Sequence, residues 1–174
     1  MNDRSFHLEI PELRTERLRL RAFAESDFGR YAEMMADPEV TRHLADGKTF
    51  TPFDAWRQMA MLSGHWILRG YGIWAVEELS TGLFVGRIGC QHPEGFPAFE
   101  VAYTLRRDAW GRGYAREGAA AALGFARDVI KHPSITSVIR PDNRGSIRVA
   151  ESLGATAAET VDFYGGPAVL YRYP

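Results

Sequence analysis

Residues 108–117 read DAWGRGYARE, and the two glycines at 111 and 113 stand where a strand gives way to a helix. Upstream, Ala98–Arg106 sets Phe99, Val101, Tyr103 and Leu105 in alternation with Glu100, Ala102 and Thr104, the period of a strand. Downstream, Ala115, Ala119, Ala122, Leu123, Ala126, Val129 and Ile130 recur every three or four residues, which predicts one long helix over about 113–131. A helix start carries free N–H groups and a partial positive charge. Glycines there let the backbone close around an anion such as pyrophosphate with no Cβ in the way. A tight turn that needs glycine for its own geometry is the competing reading.

Other phosphate motifs fail on inspection. A dinucleotide fingerprint requires glycine at 116, where Arg116 stands; a P-loop requires Gly-Lys-Ser/Thr, and Gly118-Ala119-Ala120 follows instead. Outward from the turn, RLRLRAF (17–23) reads as a first strand. A helix follows it, capped by Ser26 or Asp27 and ending near Pro38, and another spans about 52–69. Residues 71–78 and 83–91 form a hairpin, 134–140 a strand, 143–153 a short helix stopped by Gly154, and two last strands close the chain. The order β-α-α-β-β-β-α-β-α-β-β predicts an α+β fold in a single domain over residues 1–174, with one parallel crossover through the long helix.

The 174 residues carry a net charge of −1, with 45% hydrophobic and 25% charged residues, the composition of a globular protein. A near-neutral chain with no basic face is not expected to bind nucleic acid. No stretch is apolar for the roughly 20 residues that span a bilayer, and the opening residues MNDRSFHLEIPELR show no secretory block. The expectation is a cytoplasmic protein without membrane attachment. The single Cys90 lies in an apolar run and reads as an inert buried thiol. The five histidines show no metal-ligand spacing, so no metal is expected.

Trp110, Gly113 and Ala115 fall on the acetyl-CoA motif Q/R-x-x-G-x-G/A of the GNAT acetyltransferases, with tryptophan at the first position. With LRTERLRLRAF at the start, FEVAYTL before the turn and PDNRGSIRVAESLGA after the long helix, the chain resembles the RimJ/RimL-like branch of that superfamily. The resemblance covers nearly the whole chain. It implies the GNAT fold, a mixed, mostly antiparallel sheet of about seven strands flanked by four helices. It also implies transfer of an acetyl group from acetyl-CoA to a primary amine, either a protein N-terminus or a small molecule. A non-catalytic acyl-CoA-binding module of the same fold is the alternative, and a homodimer is an assembly to look for.

By the same resemblance, Gly111, Arg112, Gly113, Tyr114 and Ala115 hold the pyrophosphate, and the backbone near Tyr103 and Leu105 holds the pantetheine arm in a slot opened by a bulge. The N–H near Tyr103 polarises the thioester carbonyl, a form of oxyanion stabilisation. Glu100, beside that site, is the candidate base, with a solvated or ion-paired glutamate as the bland alternative. The tyrosine that serves many relatives as the acid is replaced by Ala150. Asn143 and Ser146 take its place in this branch, Asn143 on the pantetheine arm and Ser146 near the sulfur. Asn143 also suits a plain N-cap.

Overall fold

A computed structural model describes residues 9–174; Met1–Leu8, part of the stretch on which the lack of a secretory block was read, lie outside the described residues. The elements are β1 (Leu13–Arg14), β2 (Leu18–Arg21), α1 (Phe28–Ala36), α2 (Pro38–Thr41), α3 (Pro52–Arg69), β3 (Ile73–Glu78), β4 (Leu83–Gln91) and β5 (Glu100–Leu105). Then follow α4 (Tyr114–Phe125), β6 (Thr136–Ile139), α5 (Arg144–Ser152), β7 (Thr156–Phe163) and β8 (Gly166–Arg172). The eight strands form one sheet in the order β1-β2-β3-β4-β5-β6-β8-β7. Every neighbouring pair is antiparallel except β5 and β6, which α4 connects in parallel.

The architecture expected from sequence is present, with an eighth strand and a fifth helix. The additions are β1, two residues paired with β2, and α2, a single turn that Asp37 caps through a 2.9 Å bond from the Glu39 N–H. Both are too short to carry a periodic signal. The long helix also changes character: after Phe125 it continues as a π turn over Ala126–Ile130 and ends on Lys131 at φ +55°. The helix expected over about 52–69 is found with those bounds. Thr51 caps α3, Pro52 opens it, and Gly70 closes it at φ +74°.

The sheet is covered on both faces. On one, Leu18, Leu20, Trp74, Val76, Ile88, Cys90 and Val101 pack under α4, whose buried residues Ala119 and Ala122, with Ala126 just beyond its end, keep it close to the strands. Close approach explains Gly118, where an added Cβ would stand 2.5 Å from Ile88 Cδ1. On the other face, Tyr31, Met34 and Met35 of α1 and Ala55, Met59 and Leu62 of α3 pack on Ile73, Ala75 and Phe84.

Trp74 ties these layers together. It is 0% exposed, lies edge-on to Trp66 and Phe125 with centroids at 4.9 and 5.0 Å, and donates its indole N–H to Pro11 O at 2.7 Å. Replacing Trp74 with alanine leaves a cavity and removes that bond, so we expect a loss of about 3–5 kcal/mol, read as a lower denaturant midpoint at unchanged slope. A loss below about 1 kcal/mol would contradict the packing described.

Candidate active site

The glycine turn is built by two left-handed residues and braced by the turn that joins β1 to β2. Gly111 and Gly113 sit at φ +72° and +81°, a region that costs glycine nothing and other residues strain. The chain then enters α4 at Tyr114, leaving the N–H groups of its first turn without intrahelical acceptors. Trp110, at the motif's variant position, donates its indole N–H to Leu105 O at 2.9 Å and so fastens the turn to the end of β5. The start motif LRTERL contributes the other brace. Thr15 Oγ1, Arg17 N–H and Arg17 Nε donate to the Glu117 carboxylate at 2.5, 2.8 and 2.7 Å, and Arg17 Nη1 donates to Arg112 O at 2.9 Å. Burial alone would raise the Glu117 pKa, but these donors outweigh it and hold the carboxyl below its ordinary range.

Beside the turn, the sheet opens. β5 and β6 share a single parallel pair, Glu100 with Thr136, and then diverge. Side chains bridge the start of the gap: Ser137 Oγ donates to Val101 O at 2.6 Å, and the Glu100 carboxylate accepts from Val138 N–H at 3.1 Å and from Gln91 Nε2 at 2.6 Å. Arg106 N–H donates to Val85 O on β4. Backbone direction alternates along a strand, so the N–H groups of Tyr103 and Leu105 face away from β4 into the gap. The expected bulge in β5 is therefore a correction. Its register with β4 runs unbroken from Gly86–Leu105 to Gln91–Glu100, and the irregularity falls between Val76 and Glu77 on β3. Strand divergence, not a bulge, makes the slot.

A cavity of about 650 Å³ occupies this opening. Its walls include Tyr103, Thr104 and Leu105 of β5; Trp110, Gly111, Gly113, Tyr114, Ala115 and Arg116 of the turn and α4; and Asn143, Ser146 and Arg148 at α5. Most residues singled out from sequence are thus brought together. Asn143 caps α5, its Oδ1 accepting from Ser146 N–H at 3.1 Å, while Ser146 O accepts from Tyr103 Oη at 2.9 Å. Glu100 is buried at the apex of the gap. Burial pushes its carboxyl above the ordinary range, against the bonds from Gln91 and Val138 and the nearby Arg87 charge, which pull it down. Glu100 and Arg112 are the exceptions, since neither forms part of the cavity wall: Glu100 lies at the apex behind it, and Arg112 pairs with Glu78 and lies over the Tyr114 ring at 4.6 Å. The cation that reaches the cavity from this helix is Arg116, about one helical turn further on.

His43, at the end of α2, also lines the cavity, with Nδ1 3.4 Å from Asp142 Oδ1; burial foremost lowers its pKa, so the ring is neutral near pH 7. Histidine spacing could not reveal it, because its neighbour in space is 99 positions away, at 142. Cys90 is buried, its thiol donates to Ala122 O at 3.7 Å, and burial pushes its pKa to about 12, which excludes a ready thiolate.

Comparison with known proteins agrees with this geometry. The model of the acetyltransferase (GNAT) domain matches residues 17–156. An uncharacterised protein of Bacillus subtilis, YkkB, is 30% identical over 169 residues, covering 92% of this chain and 94% of its own. A crystal structure of an acetyltransferase from Agrobacterium tumefaciens superimposes with a TM-score of 0.86 at 33% identity, covering 97% of this chain and 96% of that one. The ribosomal L7/L12 α-N-protein acetyltransferase RimL, solved with coenzyme A, shares the fold at a TM-score of 0.74 and 16% identity, over 91% of this chain and 94% of its own. The chain belongs to the GNAT acetyltransferase family and is an acyl-CoA-dependent N-acetyltransferase. Among the described residues no group of histidine, cysteine, aspartate or glutamate is arranged to hold a metal, and no helix is long and apolar enough to cross a membrane.

The brace on the turn is testable. Arg17→Ala removes the donors to Glu117 and to Arg112 O. Titration calorimetry should show acetyl-CoA binding weakened roughly tenfold, about 1.4 kcal/mol; an unchanged affinity would mean the glycine turn holds its shape without Arg17.

Proposed function

We propose that the protein transfers an acetyl group from acetyl-CoA directly to a primary amine, of a small molecule or a protein N-terminus, with both substrates bound at once. The observation that carries this reading is the open edge of β5 beside the glycine turn, because it offers backbone donors to an acyl-pantetheine arm next to an anion-binding helix start. When bound, acetyl-CoA supplies the activated thioester. The N–H groups at Gly111 to Ala115, with the Arg116 and Arg148 guanidinium groups, suit the phosphates. Arg112 is left out of this role because Glu78 already neutralises it.

The chain's own residues then have separable tasks. The Tyr103 N–H, turned into the gap, donates to the carbonyl oxygen on which negative charge develops. Glu100 takes the proton released by the attacking amine, directly or through water. Its buried position favours that role, since a raised pKa makes a carboxylate a stronger base near neutral pH. Ser146, on the cavity wall, returns a proton to the departing thiolate. Asn143 keeps the start of α5 in place through its cap and presents its amide to the pantetheine arm.

Two substitutions test the assignments. Glu100→Gln should lower kcat by about 10²–10⁴ and abolish a rise of kcat with pH. That rise should lie above the ordinary glutamate range, because the base works only when deprotonated and burial raises its pKa. A variant with the wild-type rate and profile would remove Glu100 as the base. Ser146→Ala should lower kcat with little change in the KM for acetyl-CoA, and a wild-type kcat would assign the proton to another group.

A further inference from the structure

The sheet face under α1 and α3 carries a buried charge, Arg87, which acts on Glu100 through space while its own Nε bonds nothing. Arg87 stands mid-strand in β4, within the apolar run LFVGRIGCQ, and is only 7% exposed. Its enclosed Nε is the one buried side-chain nitrogen or oxygen among the described residues with no hydrogen-bond partner. Elsewhere the chain pairs such groups: Arg21, nearly as buried, meets Asp27 at 2.7 Å and Glu77 at 2.8 Å. Tyr31, the hydroxyl-bearing side chain above this face, already donates to Gln58 at 2.6 Å. The Glu100 oxygens are taken by Gln91 and the Val138 N–H, so Arg87 feels that charge without bonding it; a buried guanidinium donor left unbonded is costly, and native structures satisfy buried donors. A ligand anion is the partner this position calls for.

Its neighbours define the ligand. Cross-strand register sets Arg87 opposite Thr104 and Gln91 opposite Glu100, and two-residue alternation puts all four on this face with Ala102 midway. Thr104 also lines the cavity. Ala102 packs at the edge of the α1–α3 cluster yet stays partly exposed, so a ligand entering past Thr104 would lie between a guanidinium at one end and a carboxyl at the other. That polarity complements a molecule with an amine and a carboxylate a few bonds apart. Resting on the acetyltransferase reading, we infer that the acceptor is a small amine bearing its own carboxylate, an amino acid in class. Its carboxylate is held by Arg87 and its nitrogen is directed to Glu100. A protein N-terminus presents an amine but no carboxylate at that distance.

The test follows release of CoA thiol by the full chain with acetyl-CoA and the common amino acids, β-alanine or γ-aminobutyrate, each compared with its methyl ester. At least one carboxylate-bearing amine should exceed its ester tenfold or more in kcat/KM. In Arg87→Met its KM should rise at least tenfold, the KM for acetyl-CoA should stay unchanged, and the advantage over the ester should vanish. Melting curves and acetyl-CoA affinity show that the variant has folded; if Arg87→Met does not melt cooperatively, Arg87→Lys, which should keep only part of the preference, carries the comparison. Esters or peptide N-termini used as well as the free amino acids, or a preference that survives in the variant, would overturn the inference and leave acetyl transfer standing. If no amine is turned over, melting with CoA and each amino acid decides: stabilisation lost in Arg87→Met upholds the inference, and no stabilisation overturns it. Failure to bind acetyl-CoA would sink the acetyltransferase reading, and this inference with it.

Discussion

Two parallel strands that pair at one residue and then separate impose the geometry on which everything else rests. Backbone N–H and C=O groups inside a sheet are costly to leave unpaired, so a central gap persists only where other groups fill it. Ser137 Oγ and the Glu100 carboxylate do so near the apex, and Trp110 does so at the far end by bonding Leu105 O. Between them the Tyr103 and Leu105 N–H groups stay directed into the cavity. In the proposed reaction the same gap would take the acyl arm, supply the donor to its carbonyl and bring Glu100 near.

The gap is held from both sides. The turn between β1 and β2 grips α4 through Thr15, Arg17 and Glu117, which couples the first hairpin to the glycine turn some hundred residues later. Across the opening, Tyr103 reaches α5 and bonds Ser146 O, so the strand that carries the proposed oxyanion donor also positions the helix that carries the proposed acid. Small residues on α4 let that helix lie close to the sheet and keep its N-terminus aimed at the gap. Rigidity of this frame, rather than any single contact, makes the site pre-organised.

Much of this was legible in the residues. Strand and helix periods placed the elements, paired glycines marked the turn into α4, and Asn143 announced its cap. The exceptions share a cause: they depend on how elements meet, not on what each element is. No residue type encodes that β5 and β6 part company, so the slot was ascribed to a bulge. Arg112 and Arg116 look equally suited to phosphate, but the phase of α4 turns one to Glu78 and the other to the cavity. His43 reaches the wall because a one-turn helix, too short to signal itself, brings it there. Arg87 did leave a trace, a lone charge inside an apolar strand, and its meaning emerged only with its burial.

Amide hydrogen exchange along β5 tests the central claim most directly. The Tyr103 and Leu105 amides should exchange faster in the free protein than those of Ala102 and Thr104, which face β4, and acetyl-CoA should slow them selectively. Uniform protection along the strand without acetyl-CoA, or no response of Tyr103 and Leu105 when it binds, would contradict an acyl arm held in the gap between β5 and β6.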